Sequence, residues 1–549
     1  MAAIKRRTLL TSSVAGGFLL LTACSDDGTE PDGPASDNGT ETGAPAAEGS
    51  TAPAPEPEPE PDEVVVAPLA SDTVVGLDAA GAIALSRALF ERAGAVVVLP
   101  APAPEPTPAP EASPEGSPAP EAPVSPSPTA SAPPAVDPTV ALTVAKQLGV
   151  PLFEASPELE AELDRLGTHT VISYADDAAF GDREVVAGPA APADLPTIEG
   201  LPLTPPPADS AAFVESAELP PSIDAMLSAA GITPVVTASG HPGETGDSTA
   251  AAKELSGPAL GVGGAFRDEA TLAARLETTR SVAELPGGGV TPFPGRRMIA
   301  LYGHPGAPVL GMMGEQPPAE TVERVKALVA EYQAHLPGET VIGAFEIITT
   351  IASSSAGSDG NYSILSSFER VLPFIEAAEA NDIYVVLDLQ PGRSTFLEQA
   401  KRYEELLKRP WVGLALDPEW RLLTPNARHM RQIGQVGIDE INEVGNWLAD
   451  LVRDNGLPPK VLTLHQFQPR MILERERLDT SRDEIQYMVH VDGLGGQGAK
   501  QGTWAAIKKD LPAGVYLGWK NFEDEDLPML TPQQTVEQVS PVPDFVSYQ

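Results

Sequence analysis

The 549-residue chain carries 77 acidic against 35 basic side chains, a formal charge of −42. That balance excludes nucleic acid as a partner, because its recognition needs basic patches, and leaves anion sites only where backbone amides build them locally. One cysteine in the whole sequence excludes an intrachain disulfide and a zinc site made of several cysteines.

In chain order, residues 1–24 show Lys5, Arg6 and Arg7, an apolar segment from Leu9 to Leu21, and then Leu21-Thr22-Ala23-Cys24. This is the layout of a bacterial secretory signal, with an apolar run too short to span a bilayer. The Leu-Thr-Ala-Cys ending resembles the lipobox of a lipoprotein signal peptide. That resemblance implies lipidation at Cys24 and an extracytoplasmic, membrane-anchored protein of the cell envelope. Arg6-Arg7-Thr8-Leu9-Leu10 also fits a twin-arginine start. Residues 25–64 are rich in Pro, Glu, Gly and Ala, a composition that buries too little apolar surface to offset chain entropy and forms an extended linker. Similar segments recur at Ala101–Pro138 and Pro189–Pro207.

Between these segments the spacing predicts helices over Ala79–Ala93, Thr139–Leu148 and Pro157–Leu166. Strands are predicted at Ala95–Leu99, Val150–Glu154 and Thr168–Tyr174. The alternation implies a small parallel α/β unit, placed here within residues 65–290 with residues 101–138 as a disordered insertion. The stretches AIALSRALFERAGAVVVLP, AKQLGVPLFEAS and ELDRLGTHTVISYAD resemble the cell wall-binding repeat type 2 domains of bacterial surface proteins. The resemblance implies adhesion to wall polymers. Pro220–Leu285 shows weak helical signals and no assignable role.

From residue 291 to 549 the pattern becomes regular. Strand-like runs at Met298–Gly303, Val341–Thr350, Ile383–Leu389, Val412–Leu416, Val461–Leu464, Ile485–Val491, Gly514–Trp519 and Asp544–Tyr548 are separated mostly by helical patterns. These lie at Ala319–His335, Ile364–Asn381, Thr395–Lys408, Ile438–Asn455, Ala499–Leu511 and Thr531–Val539. Eight strands alternating with helices over about 260 residues is the arithmetic of an α/β (β/α)8 TIM-like barrel. A doubly wound open sheet is the alternative.

Barrel chemistry sits at the C-terminal ends of the strands. There the sequence places Tyr302 and His304 on strand one, Glu346 on strand two and Asp388 on strand three. Asp417 and Glu419 follow on strand four, His465 and Gln466 on strand five, His490 and Asp492 on strand six, and Trp519 on strand seven. Three of the chain's seven histidines fall at these ends. Strand side chains alternate faces, so at the end of strand four Asp417 and Glu419 point the same way, with Cα atoms about 6.6 Å apart. Two carboxyls that close can hold one acid neutral beside one anion.

Asp417-Pro418-Glu419 resembles the strand-four Asp-x-Glu of family 18 chitinase-like and family 25 lysozyme-like barrels. By that likeness Glu419 is the general acid of a glycoside hydrolase and Asp417, kept ionised, its partner and stabiliser. Where the chitinase signature carries two further Asp, this chain has Val412 and Ala415, so the likeness is to a divergent glycosidase-like barrel. On this reading Asp388 completes the catalytic set. Tyr302, His304, Glu346, His465, Gln466, Asp492 and Trp519 line the substrate, a cell-wall glycan or polysaccharide, with no cofactor and no metal. Two alternatives stay open. One is a metal-dependent hydrolase in which His304, His465 and His490, with Asp388 or Asp492, hold a divalent ion. The other is a non-catalytic envelope protein that only grips polysaccharide. Gly493–Gly498, ahead of a helix, can form an anion nest or a flexible loop.

Overall fold

The computed structural model describes residues 63–101, 137–175, 180–195, 198, 210–424, 427 and 431–549. The secretory signal with Cys24, the 25–62 linker and most of the proline-rich insertion lie outside them. Among the described residues no helix is long and apolar enough to cross a membrane.

The N-terminal α/β part holds two four-stranded parallel sheets. In the first, Ala95–Leu99 lies between Leu152–Glu154 and Thr170–Ser173, and Glu184–Ala187 forms an edge. Its helices Pro138–Leu148 and Leu159–Leu166 both stop at a left-handed glycine, Gly149 (φ 68°) and Gly167 (φ 65°). Glycine reaches that conformation without a Cβ penalty and turns the chain back into the next strand. The expected helix over Ala79–Ala93 is shorter, ending at Leu89. Phe90–Ala93 is instead a strand paired antiparallel with Val64–Val66.

The stretch Pro220–Leu285, without an assignable role in the sequence, supplies two of the four strands of the second sheet. Thr73–Val75 pairs with Ala259–Val262, which is followed in the sheet by Ala211–Val214 and Pro234–Val236, all parallel. Both sheets contribute to one apolar cluster, in which Val96, Val98, Val214, Leu260 and Val262 are all fully buried.

Residues 297–549 form a closed barrel of eight parallel strands. In order these are Arg297–Gly303, Val341–Ala352, Tyr384–Leu389, Val412–Leu416, Lys460–His465, Ile485–Val491, Tyr516–Asn521 and Phe545–Tyr548. Each pairs with its sequence neighbours, and strand one closes the ring by pairing with both strand two and strand eight. This settles the fold as a (β/α)8 TIM-like barrel over the open sheet. Helices follow strands one to four, six and seven. The crossover from strand five to strand six has only two short 3-10 turns and the two-residue strand Ile472–Leu473.

Side-chain alternation divides the barrel into two apolar layers. One set of strand residues, including Leu301, Phe345, Val385, Leu414, Leu462, Val489 and Val546, packs outward against the helices. The other set, including Met298, Ile342, Tyr384, Ala415, Val461, Met488 and Phe545, fills the lower interior together with Leu285 and Phe293 from the preceding segment. That segment is fixed beneath the barrel by the Gln486 side-chain amide, which bonds both Phe293 N–H and Phe293 carbonyl at 2.7 Å. The Trp411 indole N–H donates to the Glu284 carbonyl at 2.9 Å.

A buried histidine in the α/β part carries a testable consequence. His241 Nδ1 accepts from Gly243 N–H at 3.0 Å, so the ring is neutral. Burial, with the Arg275 charge adding to it and Asp483 opposing, lowers its pKa from 6.5 to about 3. The unfolded chain therefore takes up this proton first as pH falls. Stability is fully present above about pH 6.5 and is lost progressively toward pH 3. Between pH 7 and pH 5 the expected loss is about 2 kcal/mol. His241→Gln should flatten that part of a urea-stability profile, and an unchanged slope would contradict the assignment.

Candidate active site

Above its apolar floor the barrel interior changes character. The same inward-facing face, two or four residues further along each strand, carries Tyr302, Glu346, Asp388, Thr463, His465, His490, Lys520 and Ser547, all buried. Asp417 and Asp492 continue the series just past strands four and six. Charged side chains are expensive to bury unless they are paired, and Glu346, His465, His490 and Asp492 are paired with one another.

The Tyr302 hydroxyl donates to Asp388 Oδ2 at 2.8 Å. His465 lies between two carboxylates, with Nε2 2.9 Å from Glu346 Oε1 and Nδ1 3.2 Å from Asp492 Oδ2. Since carboxylates only accept, both ring nitrogens donate and the ring is an imidazolium. His490 Nδ1 reaches the same Glu346 Oε1 at 3.3 Å, and its Nε2 meets Ser547 Oγ at 3.0 Å. Lys520 Nζ sits 3.4 Å from the centre of the Tyr302 ring, a cation–π contact inside the barrel.

These neighbours drive the ionisations apart. Burial lowers the His465 imidazole, but Glu346, Asp492 and Asp388 outweigh it and hold the ring well above its ordinary pKa. Burial raises Glu346, yet the adjoining His490 and His465 keep it below the usual carboxylate range. Asp492 is likewise raised by burial and brought below its ordinary value by His465 and Lys520. Asp388 goes the other way. Burial and the Glu346 charge raise it to about 6, against the pull of His465. Asp417 is raised well above 3.8 by burial, with Asp388, Glu419 and Asp492 adding to it against His465. Burial and the surrounding carboxyls thus push Asp417 toward its neutral form, opposite to the ionised state expected of it.

Strand four ends at Leu416, and Pro418–Trp420 forms a 3-10 turn. Asp417 and Glu419 are therefore not two alternate residues of one strand. The Asp417 carboxyl caps the turn, accepting Glu419 N–H at 3.1 Å. The turn is clamped from outside by Gly434, whose N–H donates to the Glu419 carbonyl at 2.6 Å. A Cβ at Gly434 would come within 2.4–2.6 Å of the carbonyl oxygens of Arg421, Pro418 and Glu419, so only glycine fits there. Asp417 is buried and Glu419 half-buried at the mouth.

Three of the expected site residues face elsewhere. Trp519 points outward, packing edge-on against Trp504 with ring centres 5.6 Å apart and donating from its indole to Asn521 Oδ1. Gln466 braces the following loop, bonding the Gln468 and Pro469 carbonyls and accepting from Arg475 at 2.7 Å. His304 Nε2 meets Ser366 Oγ at 2.9 Å on the loop after strand two. Lys520 and Ser547 take their places in the interior. The period of two, counted from the apolar floor at Gly518 and Phe545, points to both, whereas a list of polar residues at strand ends does not separate the faces. At the expected anion nest, the helix starts at Gln497 and Gly495 N–H donates to Asp526 Oδ1 at 3.0 Å. Asp526 also pairs with buried Lys500 at 2.7 Å. An internal carboxylate thus occupies the position.

No family model matches the sequence, and no curated protein does. Among solved structures, a mutant form of Thermotoga maritima Cel5A in complex with cellobiose substrate is similar at a TM-score of 0.28 and 13% identity. The match covers 48% of this chain and 91% of that one. The fold assignment rests on the strand order described above.

Proposed function

We propose that the protein is an extracytoplasmic lipoprotein whose barrel hydrolyses a cell-wall glycan, with Glu419 as general acid. One observation carries this reading: a half-buried glutamate stands at the barrel mouth on a turn fixed by a buried carboxyl, above an interior lined with titratable groups. Catalytic carboxyls of glycoside hydrolases work as pairs whose environments separate their ionisations. Here Asp417 holds the turn and so aims Glu419, which makes it a positioning residue. Asp388 and Tyr302 lie deeper and support the mouth from below. The N-terminal α/β part, through its resemblance to wall-binding repeats, would hold the enzyme on its polymer, and Cys24 would anchor the chain in the membrane.

The reading is tested by incubating the full chain with peptidoglycan and with chitin-like oligosaccharides and measuring new reducing ends, Glu419→Gln serving as the inactive control. Turnover of neither substrate, with binding to either one retained, would replace hydrolysis by a polysaccharide-binding role. The anchor is tested separately. Cys24→Ala should move the protein from the membrane fraction to the soluble one, and retention on membranes at high salt would sink the lipoprotein assignment.

A further inference from the structure

Inside the barrel, below the mouth that the glycan reading uses, Glu346, His465 and His490 converge in a way a proton-bonded network does not require. One ligand-type atom from each, Glu346 Oε1, His465 Nε2 and His490 Nδ1, lies within 4.8 Å of the other two. The carboxylate oxygen is 2.9 Å from one ring nitrogen and 3.3 Å from the other. Nitrogen and oxygen ligands at about 2.0–2.1 Å from a tetrahedral ion sit roughly 3.3 Å apart, so small side-chain adjustments would bring all three onto one centre.

Two independent features point the same way. Each histidine is oriented from behind by its other nitrogen, His465 Nδ1 on Asp492 at 3.2 Å and His490 Nε2 on Ser547 at 3.0 Å. That is the outer-shell arrangement that fixes imidazole ligands of metals. In addition, Glu346 Oε2 and Asp388 Oδ1 are buried without a hydrogen-bond partner, and Asp388 Oδ1 lies 3.8 Å from His465 Nε2. Buried carboxylate oxygens are normally satisfied, and here two orphaned ones border the three converging atoms.

We infer that Glu346, His465 and His490 form a binding site for one divalent transition-metal ion, with Asp388 placed as a fourth ligand. Imidazole with carboxylate suits Zn2+, Mn2+, Fe2+ or Co2+ rather than Ca2+ or Mg2+. The ion would take the place of the proton now shared between Glu346 and His465. His304, named with the other two histidines in the sequence-based metal alternative, takes no part, since it faces Ser366. The site does not depend on the glycan reading, which uses Glu419 at the mouth.

The test uses the full chain, stripped with chelator and titrated with Zn2+ and, separately, Mn2+ by calorimetry and equilibrium dialysis, without any glycan. One ion per chain is expected, together with a rise in thermal midpoint on loading. Glu346→Gln and His490→Ala should each weaken binding at least a hundredfold. Because both replace buried groups, Ser547→Ala is the companion variant. It leaves every ligand in place and should weaken binding about 10–100-fold through loss of orientation, while His304→Ala should change nothing. Absence of stoichiometric binding of either ion by the stripped wild type would overturn the site. Undiminished binding in folded Glu346→Gln and His490→Ala would overturn it too, by moving the ion to another place on the acidic surface.

Discussion

Glu419→Gln is expected to lower glycan turnover by at least about a hundredfold while glycan binding persists, since a positioned general acid is worth 10²–10⁴ in rate. Glutamine keeps the size of the side chain and the backbone N–H that the Asp417 carboxyl holds at 3.1 Å. The turn should therefore survive and only the transferable proton be lost. Asp417 separates two versions of the mechanism. If it acts by holding the turn, Asp417→Asn retains an accepting oxygen for Glu419 N–H and should keep most of the activity. Asp417→Ala, which loses that acceptor, should reduce kcat about tenfold with little change in KM. If instead an ionised Asp417 stabilises the reacting sugar, Asn should be as damaging as Glu419→Gln. The buried, charge-crowded setting of Asp417, which pushes its carboxyl toward the neutral form, favours the first outcome. Thermal unfolding of each variant must accompany the rates, because Asp417 is part of the interior.

The barrel was legible in the sequence because its signals are local. Val412–Leu416 is a continuous apolar run and Ile485–Val491 a strand-like one interrupted only by Gln486 and His490, and both strands have the bounds expected of them. The 17-residue helix Ile438–Asp454 likewise carries its apolar stripe in its own residues. The α/β part was harder because its decisive pairings are long-range. Phe90–Ala93 has helical spacing, yet it pairs with Val64–Val66 across the intervening helix, and tertiary pairing overrides a weak local preference. Thr73–Val75 is three residues long, too short to show a period, and finds its partner at Leu260–Val262. In the candidate site the residue types were visible and their faces were not. Asp388, Glu346 and His465 share the interior, while Trp519 belongs to the helical layer and its neighbour Lys520 to the core. Ser547 is small and neutral and gave no chemical signal before its contact with His490 was seen. The turn at Pro418–Trp420 depends on the Asp417 cap and on Gly434, whose N–H bonds the Glu419 carbonyl from well along the chain, a relation no local pattern encodes.

Arg275→Ala is expected to destabilise the chain by roughly 2 kcal/mol, between the cost of breaking a surface ion pair and that of removing one partner of a fully buried one. Arg275 is 6% exposed on the helix Glu269–Ser281. It grips Asp483 with two parallel bonds, Nε to Oδ2 at 2.8 Å and Nη2 to Oδ1 at 3.1 Å. Its remaining nitrogen donates to the carbonyls of Gly240 and Ala265 at 2.9 and 3.0 Å. Asp483 belongs to the strand five to six crossover, the one between barrel strands that has no α-helix to pack it down. The guanidinium thus ties the α/β part to a segment the barrel itself leaves thinly supported. Alanine would remove the donor to the Gly240 and Ala265 carbonyls and leave the half-buried Asp483 with only Arg267 at 3.5 Å, which is why the effect should exceed that of an ordinary surface ion pair at about 0–1 kcal/mol. Arg275→Lys should recover little, because a point charge cannot bond Asp483 twice and reach both carbonyls. Urea unfolding of the full chain measures the loss. Pairing Arg275→Ala with Asp483→Asn should show coupling of at least about 1 kcal/mol, and a loss below that for the single variant would mean that the α/β part is held to the barrel by its apolar contacts alone.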